Sequence, residues 1–132
     1  MVRHVALCLR TEADFRQLVG GFVAECRRQH IRYVEAHFTP FNHERFGISG
    51  ERSLHIVTEL LMAAETEVGA ITHLILDIPS ETADEGGSYT VALLEQLANP
   101  LVVAIGLGGP EVGYPRTLVE EHFARARRAG YA

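Results

Sequence analysis

The chain has 132 residues, 47% of them hydrophobic and 22% charged, with a formal net charge of −5 at pH 7. This length and apolar content fit one domain spanning residues 1–132 with a real core, and exclude a disordered chain. The acidic balance argues against nucleic acid as a partner, since phosphate binding needs a basic footprint, and no apolar run is long enough to span a bilayer.

In chain order, "MVRHVALCLR" is too short and lacks the small-residue cleavage site of a signal peptide. Its "HVALCL" is readable as a strand or as a lead-in. Thr11 and Asp14 resemble a capping box that opens a helix over "TEADFRQLVGGFVAECRRQH". Phe15, Leu18, Val19, Phe22, Val23 and Cys26 form its apolar stripe, and Gly20-Gly21 suggests close packing. A strand over "IRYVEAHF" stops at Thr39-Pro40, and "FNHERFGISGERS" reads as a long loop. The helix "SLHIVTELLMAAETEVG" turns Leu54, Val57, Leu61, Ala64 and Val68 inward and ends at Gly69.

The strand "THLILDI" is closed by Pro79, "SETADEGGS" reads as a polar loop, and a short helix runs from Tyr89 to Leu97 before Asn99-Pro100. "LVVAIGL" is almost continuously apolar, as expected of a strand buried on both faces. Pro115 opens a last helix through Phe123 to Ala129 with Gly130 as its cap, and Arg125, Arg127 and Arg128 complement its dipole. Cys8 and Cys26 make no CxxC and sit in apolar surroundings, which predicts reduced, buried thiols in a cytoplasmic protein.

A helix followed by strand–helix repeats predicts three to four parallel strands with right-handed crossovers, an α/β fold. An open doubly wound sheet and part of a (β/α) barrel both satisfy that order; a complete barrel takes about 250 residues. In both, function gathers at the carboxyl ends of the strands, which here carry Glu35, His37, Asn42, His43, Asp77, Ser80, Glu81 and Glu111.

Gly106, Gly108 and Gly109 do not make GxGxxG, and Pro110-Glu111 places a carboxylate where a pyrophosphate needs a helix N-terminus. Two readings stay open: room for a flat ligand against free backbone N–H groups, or simply a tight strand-to-helix turn. The seven histidines contain no HxH, HxxH or HxxxH pair. His37 and His43 are separated by Pro40 and read as surface or loop residues; His55 and His122 read as solvent-facing. Glu35 inside a strand reads as a buried carboxylate that either orients a site or pairs with a neighbouring strand.

Taken together, these stretches resemble the adenosine deaminase family. "YVEAHFTP" is similar to its Y-x-E-x-R-x-x-P strand, "VVAIGLGGPE" to its V-v-G-x-x-L-a-G-x-E strand end, and "FARARRAGYA" to the segment preceding its H-A-G-E motif. "DIPSE" and "GLGGPEVGYPR" look most like the aminofutalosine-deaminase-like bacterial branch. The resemblance implies a (β/α) barrel in which zinc activates the water that replaces an adenine amino group. It implies a purine contact at Gly109 beside Gly108, an acidic residue at the substrate edge in Glu111, and supporting roles for Glu35, His37 and Asp77.

His37 stands where the family has arginine, Gly106 where many members have aspartate, and Pro110 where aspartate is frequent. The first-strand H-x-H pair is absent, and the resemblance puts H-A-G-E just beyond Ala132. No residue here is therefore assigned as catalytic or as a metal ligand. The expectation is an arc of a barrel that takes an adenine-nucleoside-like ligand, binds no zinc by itself and does not deaminate alone. Alternatively it is a non-enzymatic half-barrel that self-associates or closes with a complementary chain.

Overall fold

The computed structural model describes residues 7–132. Helix α1 (Glu12–Arg28) leads to β1 (Tyr33–Phe38), a 3-10 turn (Pro40–His43), α2 (Gly50–Val68) and β2 (Ile71–Pro79). After a 3-10 turn (Ser80–Thr82) come α3 (Ala83–Leu97), β3 (Val102–Gly108), a third 3-10 turn (Arg116–Leu118) and α4 (Glu120–Arg128). The strands lie in the order β1-β2-β3 and both pairings are parallel.

Alternation along the strands sends Leu74, Leu76 and Ile78 into a core with Phe15 and Val19 of α1, Leu54 and Leu61 of α2, and Val91 and Leu94 of α3. The opposite face is open: Tyr33, Glu35, His37 and Ile71 are exposed. A doubly wound sheet carries helices on both faces, so parallel strands covered on one face are an arc of a (β/α) barrel. For the same reason β3 is not buried on both faces, and Val103, Ala104 and Gly106 are only half-buried. On the outer edge of β3, Ala132 N–H donates to Val103 C=O (3.3 Å) and Ile105 N–H to Ala132 C=O (3.0 Å). That alternation is the bonding pattern of a parallel pairing, made here by a single residue.

The Thr11–Asp14 capping box forms, with Asp14 accepting from the Thr11 N–H at 2.7 Å. Leu18, expected inward, is 45% exposed. A methyl group added at Gly20 or Gly21 would meet nothing within 4 Å, so no close packing explains them. Helix α2 begins earlier than expected because the Ser49 side chain accepts from Arg52 N–H, and Gly69 ends it at φ +66°. The segment read as a polar loop is the 3-10 turn Ser80–Thr82 and the opening turns of α3. Its glycines serve close approach: a methyl at Gly86 would lie 2.8 Å from Pro79, and one at Gly87 would overlap the His122 ring. His122 is therefore packed between helices, its side chain 12% exposed, rather than solvent-facing.

Leu7 and Cys8 are helical and Leu9 is buried without regular structure; His4, Val5 and Ala6 of the possible N-terminal strand lie outside the described residues. Cys26 is buried, but Cys8 is exposed on that helical turn. The α4 arginines cluster in its last turn as expected, with Arg125 bonded to Glu95 of α3 (2.8 Å). Among the described residues no helix is long and apolar enough to cross a membrane.

Candidate functional site

On the open face, side chains from β1 and β2 form two polar layers. Nearer the start of the strands, Tyr33 donates to Glu35 Oε1 (2.7 Å), and His73 Nδ1 lies 3.2 Å from the same hydroxyl. The Glu35 carboxylate holds the Tyr33 hydroxyl pKa above its ordinary value. Glu35 is exposed, not buried, because no strand or helix among the described residues covers this face.

Nearer the carboxyl ends, His37 Nδ1 lies 2.8 Å from Asp77 Oδ1. Asp77 is 7% exposed, and burial pushes its pKa up while the bond to His37 draws it partly back. Asp77 is the register partner of Gly106 on β3. A methyl on Gly106 would overlap Asp77 Oδ1, and one on Gly108 would lie 3.1 Å from Oδ2. The carboxylate thus lies across a glycine strip, and that strip exists because the carboxylate is there.

Just beyond, the ends of β2 and β3 are fastened by the buried Ser80, whose hydroxyl donates to Pro110 C=O (2.9 Å). Gly109 has φ +109°, and a methyl there would lie 2.5 Å from Ser80 Oγ and 2.6 Å from Glu81 Oε2. Only glycine meets both demands. Gly109 and the exposed Glu111 border a groove of about 890 Å³ against Val119 and Phe123. Neither Gly108, Asp77, His37 nor Glu35 lines that groove. The candidate residues therefore fall into two adjoining sets that meet at Gly108-Gly109, and Glu35 belongs to neither.

Two features were not anticipated from the sequence. Glu44 Oε1 accepts from Gly50 N–H (2.7 Å) and from the Tyr89 hydroxyl, tying the loop after β1 to α2 and α3. Burial, and then Glu44, raise the Tyr89 pKa. His43, read as a surface or loop residue, lies on the 3-10 turn after β1 but is only 5% exposed, with ring centroids 5.0 Å from Phe15 and 5.5 Å from Phe38. Its Nδ1 has no hydrogen-bond partner, and burial lowers its pKa. The signal was the pattern "HFTPFNH": aromatic residues around a proline fold the histidine back onto α1.

Among the described residues no three His, Cys, Asp or Glu side chains converge where a metal ion could sit. Glu35 is engaged by Tyr33 and Asp77 by His37.

A sequence profile described as adenosine deaminase matches residues 1–132. The chain belongs to the adenosine deaminase family. It is 36% identical over 124 residues to the aminodeoxyfutalosine deaminase of Streptomyces avermitilis, covering 92% of this chain and 35% of that protein. It is 35% identical over 124 residues to the adenine deaminase of Bordetella parapertussis, covering 92% of this chain and 38% of that one. The crystal structure of adenine deaminase from Arthrobacter aurescens superposes with a TM-score of 0.84 at 26% identity, over 93% of this chain and 37% of the other. A zinc-bound amidohydrolase from Burkholderia ambifaria shares the fold, with a TM-score of 0.87 at 21% identity over 93% and 34% of the two chains. The chain thus spans about a third of the length of the curated relatives it matches, 35% of the Streptomyces protein and 38% of the Bordetella one.

Proposed function

We propose that this chain is the purine-contacting arc of a hydrolytic deaminase that acts on adenine or on an adenine nucleoside of the aminodeoxyfutalosine kind. The observation that supports this is Gly109: a backbone at φ +109°, closed beneath by Ser80 and Glu81, leaves its outer side to a flat ligand edge. Glu111 follows at the rim, where a carboxylate can accept from a ligand N–H. Zinc, the water it activates and the proton-transferring glutamate come from parts of the barrel that these residues do not supply. By that reading the 132-residue chain with zinc added releases no ammonia from adenine or adenosine.

The test replaces the matching 124-residue stretch of the Streptomyces avermitilis enzyme with this chain. The folded, zinc-loaded chimera should release ammonia from adenine, adenosine or aminodeoxyfutalosine, and Gly109→Ala should suppress that release at least tenfold. A folded, zinc-loaded chimera inactive on all three refutes the proposal, as does ammonia release by the isolated chain. A second reading, a half-barrel completed by another chain, is favoured by β1, whose outer edge pairs with no further strand among the described residues. A concentration-dependent dimer in sedimentation would support it.

A further inference from the structure

The Asp77 carboxylate is buried on the sheet, yet the side chain it bonds belongs to a histidine that is 59% exposed. A buried carboxylate held this way costs stability unless it does something for its neighbour. An ionised carboxylate only accepts, so the proton between the two belongs to His37 Nδ1. In the neutral ring that leaves Nε2 as an acceptor on the accessible side. Beside it, Gly106 and Gly108 are half-exposed and offer backbone without side chains.

We infer that His37 and Asp77 form a recognition pair for the amino edge of an aminopurine, His37 Nε2 accepting the exocyclic N–H above the Gly106–Gly108 strip. Asp77 is the positioning residue; it acts through the His37 tautomer and need not touch the ligand. The inference rests on the purine reading above and adds the group that distinguishes an amino-bearing ring from one without it. An acceptor over a bare strip, backed by a buried carboxylate, suits a flat donor-bearing heterocycle and disfavours an anion such as phosphate.

The experiment measures binding of adenine and of unsubstituted purine to the 132-residue chain, with ¹⁵N NMR of the His37 ring. One hydrogen bond corresponds to about a tenfold preference for adenine in the wild type. His37→Phe removes the Nε2 acceptor outright, and the isosteric Asp77→Asn, whose amide either keeps Oδ1 on Nδ1–H or turns its N–H to Nδ1, reports through the ¹⁵N spectrum whether the ring proton has moved. The adenine preference should fall to about one in His37→Phe, and in Asp77→Asn once the proton has moved, while purine affinity is unchanged, a split that a purely structural role does not produce. A preference that persists in His37→Phe, or after the proton has moved, overturns the inference and leaves the purine reading standing. Equal loss of both ligands in a folded Asp77→Asn chain overturns it too. A wild-type chain that binds neither ligand refutes the purine reading itself, and the inference with it.

Discussion

Gly109→Ala isolates the geometry on which the purine reading depends. The methyl group meets two obstacles. Backbone at φ +109° is foreign to an L-residue, and holding alanine there costs roughly 1–3 kcal/mol. The new methyl also sits 2.5 Å from Ser80 Oγ, which is buried and already bonded to Pro110 C=O. Glu81 can swing its carboxylate away, but Ser80 can yield only by giving up that bond, worth about 1 kcal/mol. Together the variant should lose about 2–4 kcal/mol, read as a lower urea midpoint with an unchanged slope. In a Ser80→Ala background the collision is gone and only the backbone strain remains, so the two changes should be coupled by about 1 kcal/mol. A Gly109→Ala chain within about 0.5 kcal/mol of wild type, the ordinary range for an inert surface change, would show that the loop does not hold this conformation.

Glycines elsewhere should respond with opposite signs. Gly20→Ala and Gly21→Ala, facing open space on α1, should each raise stability by up to about 1 kcal/mol, whereas Gly87→Ala should lower the melting temperature by forcing the His122 ring out of its seat. His43 is buried with a lowered pKa, so the unfolded chain takes its proton first, and stability should decline as pH falls below about 6.5. His43→Phe should flatten that decline in pH-dependent urea titrations. Asp77, its pKa raised, works the other way and softens the slope as pH falls through its folded value toward 3.8. Tyr89, raised above its ordinary 10.0, contributes stability that is lost as pH rises past that value. Tyr89→Phe should remove this alkaline component of the melting curve.

The parts of the fold written in nearest-neighbour chemistry were legible. The Thr11–Asp14 cap, the Pro40 and Pro79 strand stops and the Gly69 terminus each need only a few adjacent residues, and each lies where expected. The parts fixed by distant contacts were not. "TADEGG" has loop composition, yet Pro79 and the His122 ring fit only against glycines, which makes it the opening of α3. Glu35 looked buried because a charged residue inside an apolar strand implies cover, and the cover is not supplied by these elements. His43 is the converse: its place in the loop after β1 was legible but its burial was not, since Phe15, far from it in the sequence, encloses it. At the site, the strand-end positions of His37 and Asp77 could be read from the alternation, but their 2.8 Å bond spans two strands and depends on the parallel register.

That register also bears on the departures from the family pattern. The resemblance read from the sequence puts aspartate at position 106 and arginine at position 37 of the family pattern, where this chain has Gly106 and His37, and in isolation these look like two separate losses. In space they are one arrangement. Asp77 Oδ1 lies where a side chain at Gly106 would begin, and the same oxygen accepts from His37. An aspartate at 106 would press a second carboxylate against the first, and two like charges that close resist joint ionisation. A guanidinium at 37 could meet both oxygens of Asp77, but it has no acceptor to offer a ligand. Imidazole is the group that can donate to Asp77 and still accept on its other side. The negative charge on this face of the sheet is delivered from β2, and the glycine on β3 is the condition that allows it. Restoring one member alone should be worse than either complete set: Gly106→Asp with Asp77 in place should destabilise the chain, and Gly106→Asp with Asp77→Gly should recover most of the loss.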